Sequence, residues 1–296
     1  MKTFLAIALA CWTWTCSAVV PFALGLGFDA EVNDWNYHVT LNAGSAKIWT
    51  RLVLTDLLRD YNVGQVRTPT RRLNPYKGTG LGACRTPLIH DTGDGFDTLV
   101  NFVEADYSET NGLTGDASTK YNNTQTSYID LFAVDSVNHS ISYGLFNRSA
   151  SNAAEHSMGS HDGSSYSYLS PSIAAVSYFA MANPGLQMTA VDSAGTGFYL
   201  GTRTTDTDRK LYKNGTQIAS NAVADNGAMS GGGSANTNRL VFVHCFANWT
   251  TTPPTPTALT SRTLAGYQFA TGLDATQQGI VNNAWQKMET NIVPPP

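Results

Sequence analysis

The chain has 296 residues, only 14% of them charged, and a formal net charge of −4. That is enough for one large β domain with a small appendage, or for two modest domains. Charged residues fall well below the usual share and Ser, Thr, Asn and Gly replace them. This excludes a disordered polyelectrolyte and suits a turn-rich β protein. There is no basic stripe of the kind that tracks phosphates, so nucleic acid is not expected as a partner.

In chain order, Phe4 to Phe28 carry no charge. Lys2, the apolar run Phe4–Trp12 and the small residues Cys16-Ser17-Ala18 have the layout of a secretory signal peptide. An uncleaved apolar arm buried in an assembly and a membrane anchor are the other readings of residues 1–28, with membrane contact only if the segment is retained as an anchor. Residues 29–95 form a helical and then irregular region. Ser45 is an N-cap candidate, and Ile48, Trp49, Leu52, Val53 and Leu57 make an apolar helix face. From about Arg67 the chain is rich in Arg, Pro, Gly and Thr. Arg67, Arg71 and Arg72 read as a solvated loop.

Residues 96–296 change to a period of two. Strands are expected at Phe96–Val103, Ser127–Val134, Ser140–Phe146, Ile173–Ala182, Leu186–Val191, Gly197–Arg203, Arg209–Tyr212, Thr216–Ser220, Arg239–Phe246 and Arg262–Phe269. Many short strands with regular turn signals predict a mainly β sandwich or jelly roll. Asn214-Gly215 is the strongest of these signals. Both central residues of a tight two-residue hairpin need positive φ, and Asn and Gly tolerate it best. Leu273-Asp274 with Gln277 three residues on predicts a capped terminal helix, with Ile280, Val281, Ala284, Trp285 and Met288 as its apolar face.

The order of Gly197–Arg203, the Asn214-Gly215 hairpin, Arg262–Tyr267 and the terminal helix resembles the concanavalin A-like lectin/glucanase (LamG/jelly-roll) sandwiches of phage structural proteins and their metagenomic relatives. Gly112–Tyr121 also resembles the Thr-Gly-Asp-Gly-Ser turn of that group, with Ala117 in place of the second glycine. The resemblance implies a concanavalin A-like jelly-roll sandwich with an N-terminal helical region and a C-terminal helix. It also implies a virion-surface or extracellular setting, as a fibre, decoration or adhesion subunit that contacts itself or other structural subunits. It carries no catalytic residues.

Two chemistries are legible. Glu104, Asp106 and Glu109 fit the E-x-D-x-x-E spacing of retaining glycosidases on this type of sandwich. There, two carboxylates about 5–5.5 Å apart act as nucleophile and acid/base. Ala105 and Ser108 depart from the aliphatic residues that pattern prefers. This is the enzymatic alternative. The leading expectation is a non-enzymatic protein that binds cell-surface glycans weakly, because pyranose faces are apolar and their rims hydroxylated. Tyr166, Tyr168, His161, Asp162 and Trp249 are the candidate ligand-binding residues, with Tyr178 and Tyr199 as further aromatics. No cofactor and no metal site are expected. His156 and His161, five apart beside Glu155 and Asp162, match no strong metal spacing. Cys84 and Cys245 either pair or remain buried thiols. Asn122, Asn138, Asn147, Asn214 and Asn248 lie in glycosylation sequons.

Overall fold

The computed structural model describes residues 28–90, 95–127, 140–150, 153–161, 163, 166–182, 186–193, 195–224, 240–251 and 253–292. The expectations for residues 1–27, the Ser127–Val134 strand beyond Ser127, Asp162 and Asn138 lie outside them. Among the described residues no helix is long and apolar enough to cross a membrane.

The protein is a jelly-roll β-sandwich with helices on one outer face. Helices α1 (Ala30–Leu41) and α2 (Ile48–Val63) precede β1 (Thr70–Asn74). Asp29 caps α1 by accepting from the Glu31 amide. The expected N-cap Ser45 does not cap α2. Lys47 holds that position without a side-chain bond, and Ser45 pairs through its backbone with Thr79. The α2 face is also rotated from the expected one. Val53, Leu54, Leu57, Leu58 and Tyr61 are buried while Ile48 is exposed, because the helix packs against the terminal helix α4 (Ala275–Asn291).

The first sheet contains β13 (Thr216–Asn221), β12 (Asp208–Lys213), β11 (Gly197–Thr205), β6 (Ile141–Asn147), β17 (Thr263–Ala270), β4 (Gly112–Thr114) and β3 (Tyr107–Ser108) in that order, with β1 also paired to β17. The second runs β10 (Met188–Val191), β9 (Val176–Ala182), β8 (Tyr166–Ile173), β7 (Met158–His161), β14 (Leu240–Val243), β5 (Tyr121–Ser127) and β2 (Thr98–Val100). The small pair β15 (Phe246–Asn248) and β16 (Thr255–Thr257) attaches to β7.

Tyr143, Leu145, Tyr199, Leu211 and Phe269 of the first sheet meet Leu99, Met158, Leu169, Phe179 and Val243 of the second. On the reverse face of the first sheet, Phe146, Phe198 and Leu200 meet Val281, Trp285 and Met288 of α4. A sheet covered on both sides explains why Phe198-Tyr199-Leu200 is continuously apolar rather than alternating. Trp285 ties the layers together, donating from Nε1 to Gln268 on β17 and to Tyr61 on α2. Gly201 is required where the sheets touch, since a Cβ there would lie 2.2 Å from the Phe179 ring.

The Asn214-Gly215 hairpin forms as expected, with φ of 50° and 78° and Lys213 opposite Thr216. The Asp274–Gln277 capping box forms too. Other boundaries differ. The strand expected at Ile173–Ala182 starts at Val176, because Ala174-Ala175, both with positive φ, turn the chain back from β8 (Tyr166–Ile173), which the sequence pattern does not predict before Ile173. Two alanines give no turn signal in sequence. Arg239–Phe246 is likewise broken at His244, φ 69°, where the chain reverses so that β15 runs parallel to β7. The arginine segment is not a solvated loop. Arg67 pairs with Glu31, and Arg72 lies fully buried on β1. Cys84 and Cys245 are both free and buried.

Candidate functional site: an aromatic face and a polar cleft

The outward face of the second sheet gathers most of the expected ligand residues. Period-two alternation sends Leu169, Met158 and Phe179 inward and Tyr166, Tyr168 and Tyr178 outward. His161 and Tyr166 are cross-strand partners and stack with ring centroids 5.2 Å apart and planes 7° apart. Phe246, absent from the sequence-based set, lies between them and Tyr168, at 5.9 Å from His161 and 5.0 Å from Tyr168. His156 stacks on the other side of Phe246 at 3.7 Å and bonds Ser170 at 2.9 Å. Burial, then Arg262 and His161, push the His156 imidazole down to about 3, so it is neutral near pH 7.

Tyr168 is nearly buried and gives its hydroxyl to Gln187 at 2.7 Å, whereas Tyr166 and Tyr178 are half-buried. Gly159 faces Tyr168 across the strands, and a Cβ there would lie 2.6 Å from the Tyr168 Cβ. Tyr178, Tyr168, His161 and Phe246 sit on four neighbouring strands. The strip is therefore ~14 Å wide at the usual strand spacing.

Two aromatics do not join this strip. Trp249 packs with Tyr121, Leu240 and Phe242 in a separate cluster. Its indole nitrogen is taken by the Leu240 carbonyl at 3.2 Å, although its backbone amide donates to the carbonyl of His161. Tyr199 is core, fully buried between the sheets with its hydroxyl on Asp192. Tyr199 and Tyr166 are both strand tyrosines that residue type does not separate, whereas Trp249 lies in the turn after β15. Facing direction and the layer behind them decide. Of the sequons, Asn122 and Asn147 are fully buried with their amides bonded, and Asn214 forms the hairpin turn.

The Glu104–Glu109 segment folds as a short 3-10 turn (Glu104–Asp106) followed by the two-residue β3. It is not one regular strand. Glu104 accepts from the Leu81 amide at 3.1 Å, and Glu109 accepts from Thr50 and from Lys47 at 3.3 Å. Asp106 accepts from Lys120 at 2.8 Å and from the Val103 amide at 2.8 Å. A cleft of about 300 Å3 opens beside them, lined in part by Asp106, Ser108, Asn111, Arg148 and Thr263. Neither Glu104 nor Glu109 is among its lining residues.

No protein-family model matches the sequence, and a search of curated protein sequences finds no relative. Solved structures do match in fold. A botulinum neurotoxin type C structure, described through cell entry that depends on interaction with two ganglioside molecules, matches at TM-score 0.50 and 12% identity, covering 76% of this chain and 53% of that one. A receptor binding domain matches at TM-score 0.50 and 11% identity, covering 77% and 53%. Domain 4 of AbnA, a GH43 extracellular arabinanase from Geobacillus stearothermophilus, in complex with arabinotriose, matches at TM-score 0.41 and 11% identity, covering 64% and 89%. The chain thus spans about half the length of the two structures matched at TM-score 0.50, and at these identities that likeness shows a shared fold alone.

Proposed function

We propose that this protein is a non-enzymatic binding protein that recognises glycans weakly through the outer face of its second sheet. The observation that carries the reading is the aromatic strip. The parallel-stacked rings of His161 and Tyr166, with half-buried Tyr178, sit on strands beside the polar groups of Gln187 and Ser170. Flat rings on a fixed sheet offer stacking area at little conformational cost, and the neighbouring amide and hydroxyl groups match sugar hydroxyls. The helices pack on the other sheet, which leaves this face free of a helical cover among the described residues.

The neurotoxin structure named through gangliosides shares this fold and supports the same reading. The setting that fits best is extracellular or on a virion surface, as a fibre, decoration or adhesion subunit. The retaining-hydrolase alternative gains no support from Glu104 and Glu109, whose carboxylates are engaged by separate partners outside the cleft. A glycan array of the intact chain tests the proposal. Binding that falls at least tenfold in Tyr166→Ala, a loss of about 1.4 kcal/mol, is expected. No bound glycan, or binding unaffected by Tyr166→Ala and Tyr178→Ala, would sink it.

A further inference from the structure

The cleft at the β3–β4 edge of the first sheet has a charge arrangement that points to a ligand of its own. Its polar groups come from three distant segments: Asp106 to Thr114, Arg148 and Thr263. Its one carboxylate is already engaged on both oxygens. The Asp106 carboxylate holds Lys120 and the Val103 amide, each at 2.8 Å. Donors remain. The Thr114 and Thr263 hydroxyls meet at 2.9 Å, which uses one of their two hydrogens and leaves the other to donate. Arg148 gives Nη2 to Glu289, while its Nε has no protein partner.

Glu289 is the key to the balance. The same carboxylate also holds Lys77 at 3.0 Å, and Lys77 is fully buried. One carboxylate therefore faces two cations. A further carboxylate, Glu109, is bonded by Lys47 and Thr50, and its hydrogen bond from Lys77 is to the backbone carbonyl. Burial pulls the Lys77 ammonium below its ordinary value, with Glu289 and Glu109 opposing the shift and Arg148 adding to it. Of the two cations Lys77 is buried, whereas the Arg148 side chain is 31% exposed and is the member of the trio that lines the cleft.

We propose that this cleft binds a small hydroxylated carboxylate, the chemical class of a sugar acid, with its carboxylate on Arg148 and its hydroxyls on Ser108, Asn111 and the Thr114–Thr263 pair. A volume of about 300 Å3 suits one monosaccharide-sized unit and lies at the small end of ligand pockets. The site is separate from the aromatic strip, since the two lie on different sheets.

The test is a calorimetric and NMR titration of the intact chain with galacturonate, glucuronate and N-acetylneuraminate, and with galactose as the neutral control. At least one acid is expected to bind in the millimolar range and at least tenfold more tightly than galactose. Asn111 is exposed, so Asn111→Asp adds a negative charge to the lining without touching the core. It is expected to weaken the acid at least tenfold and leave the melting temperature unchanged. Tyr166→Ala is expected to leave acid binding intact. Binding to none of the three acids, equal binding of galactose, or acid binding lost in Tyr166→Ala but kept in Asn111→Asp would overturn the proposal. The last outcome would leave the aromatic strip as the glycan site.

Discussion

Arg72 and Asp97 form a fully buried ion pair at 2.6 Å that links the two sheets. Arg72 lies on β1 of the first sheet and Asp97 immediately precedes β2 of the second. The pair does not stand alone. Tyr267 donates to Asp97 at 2.8 Å, Asn122 at 2.6 Å and Asn74 at 2.9 Å. Both oxygens of the carboxylate are thereby engaged, Oδ1 by Arg72 and Oδ2 by the three neutral donors, and such hydrogen bonding is the condition under which a buried charge is tolerated. Burial alone would lower the Arg72 guanidinium, but Tyr267 and Asp97 beside it raise it above its ordinary value.

Breaking that pair on one side strands a charge in the core. Asp97→Ala is expected to cost about 3–5 kcal/mol, measured by urea unfolding, because Arg72 is left buried without its counter-ion. The double change Asp97→Ala with Arg72→Met should cost less than Asp97→Ala alone. A double variant no more stable than the single one would contradict this account.

The Ala174-Ala175 turn should be improvable. Both residues hold positive φ, 49° and 64°, in a two-residue connection between Ile173 and Val176. That geometry disfavours a Cβ and favours Asn-Gly. Replacing the pair by Asn-Gly is expected to stabilise the fold by about 1 kcal/mol, read as a higher melting temperature. At the other hairpin the reverse holds. Gly215→Ala places a Cβ at φ 78° and 2.8 Å from the Asn282 amide, and should destabilise by about 1–2 kcal/mol.

Acid should weaken the fold through two histidines. His156 and His244 are both pushed down to about 3, chiefly by burial, from an ordinary value near 6.5. Between these values the unfolded chain binds protons that the folded chain refuses, so stability rises with pH across the window. The full contribution is present above about pH 6.5 and is lost progressively as pH falls toward about 3. For fully buried His244 the loss by pH 4 is on the order of 3 kcal/mol. His244→Asn keeps a residue that tolerates positive φ and removes the titrating group. Chemical unfolding at pH 7 and pH 4 should show a smaller acid penalty in this variant than in the parent chain.

Burial raises the Cys84 and Cys245 thiols well above their ordinary value. Thiols held neutral in a core react slowly. Neither should be labelled by a thiol reagent in the folded chain, and both should be labelled in denaturant. Fast labelling under native conditions would contradict the burial described here.

The carboxylates of the Glu104–Glu109 segment yield a functional prediction in the negative. The chain is expected to release no reducing sugar from β-glucans or galactans, and Glu104→Gln should alter stability slightly through its bond to the Leu81 amide. Hydrolysis abolished by Glu104→Gln or Glu109→Gln would restore the enzymatic alternative.

By itself the sequence determined the local elements with their own chemical signature. Asn214-Gly215 specifies a hairpin because of backbone sterics alone, and Asp274 with Gln277 specifies a helix start because two side chains satisfy orphan amides. Alternating apolar residues were enough for a two-layer sandwich. Only the tertiary structure decided which aromatics face outward, since neither the alternating Tyr166-Ser167-Tyr168 nor the continuously apolar Phe198-Tyr199-Leu200 says which face has a second layer behind it. It also decided that Arg72 is core rather than loop, because its partner Asp97 lies 25 residues away. The cleft has the same origin. Arg148, Glu289, Lys77 and Thr263 carry no shared motif; the pairing of β17 with β4 and β6 sets Thr263 beside Thr114 and Arg148, and Glu289 on α4 and Lys77 after β1 meet Arg148 there only through the tertiary fold.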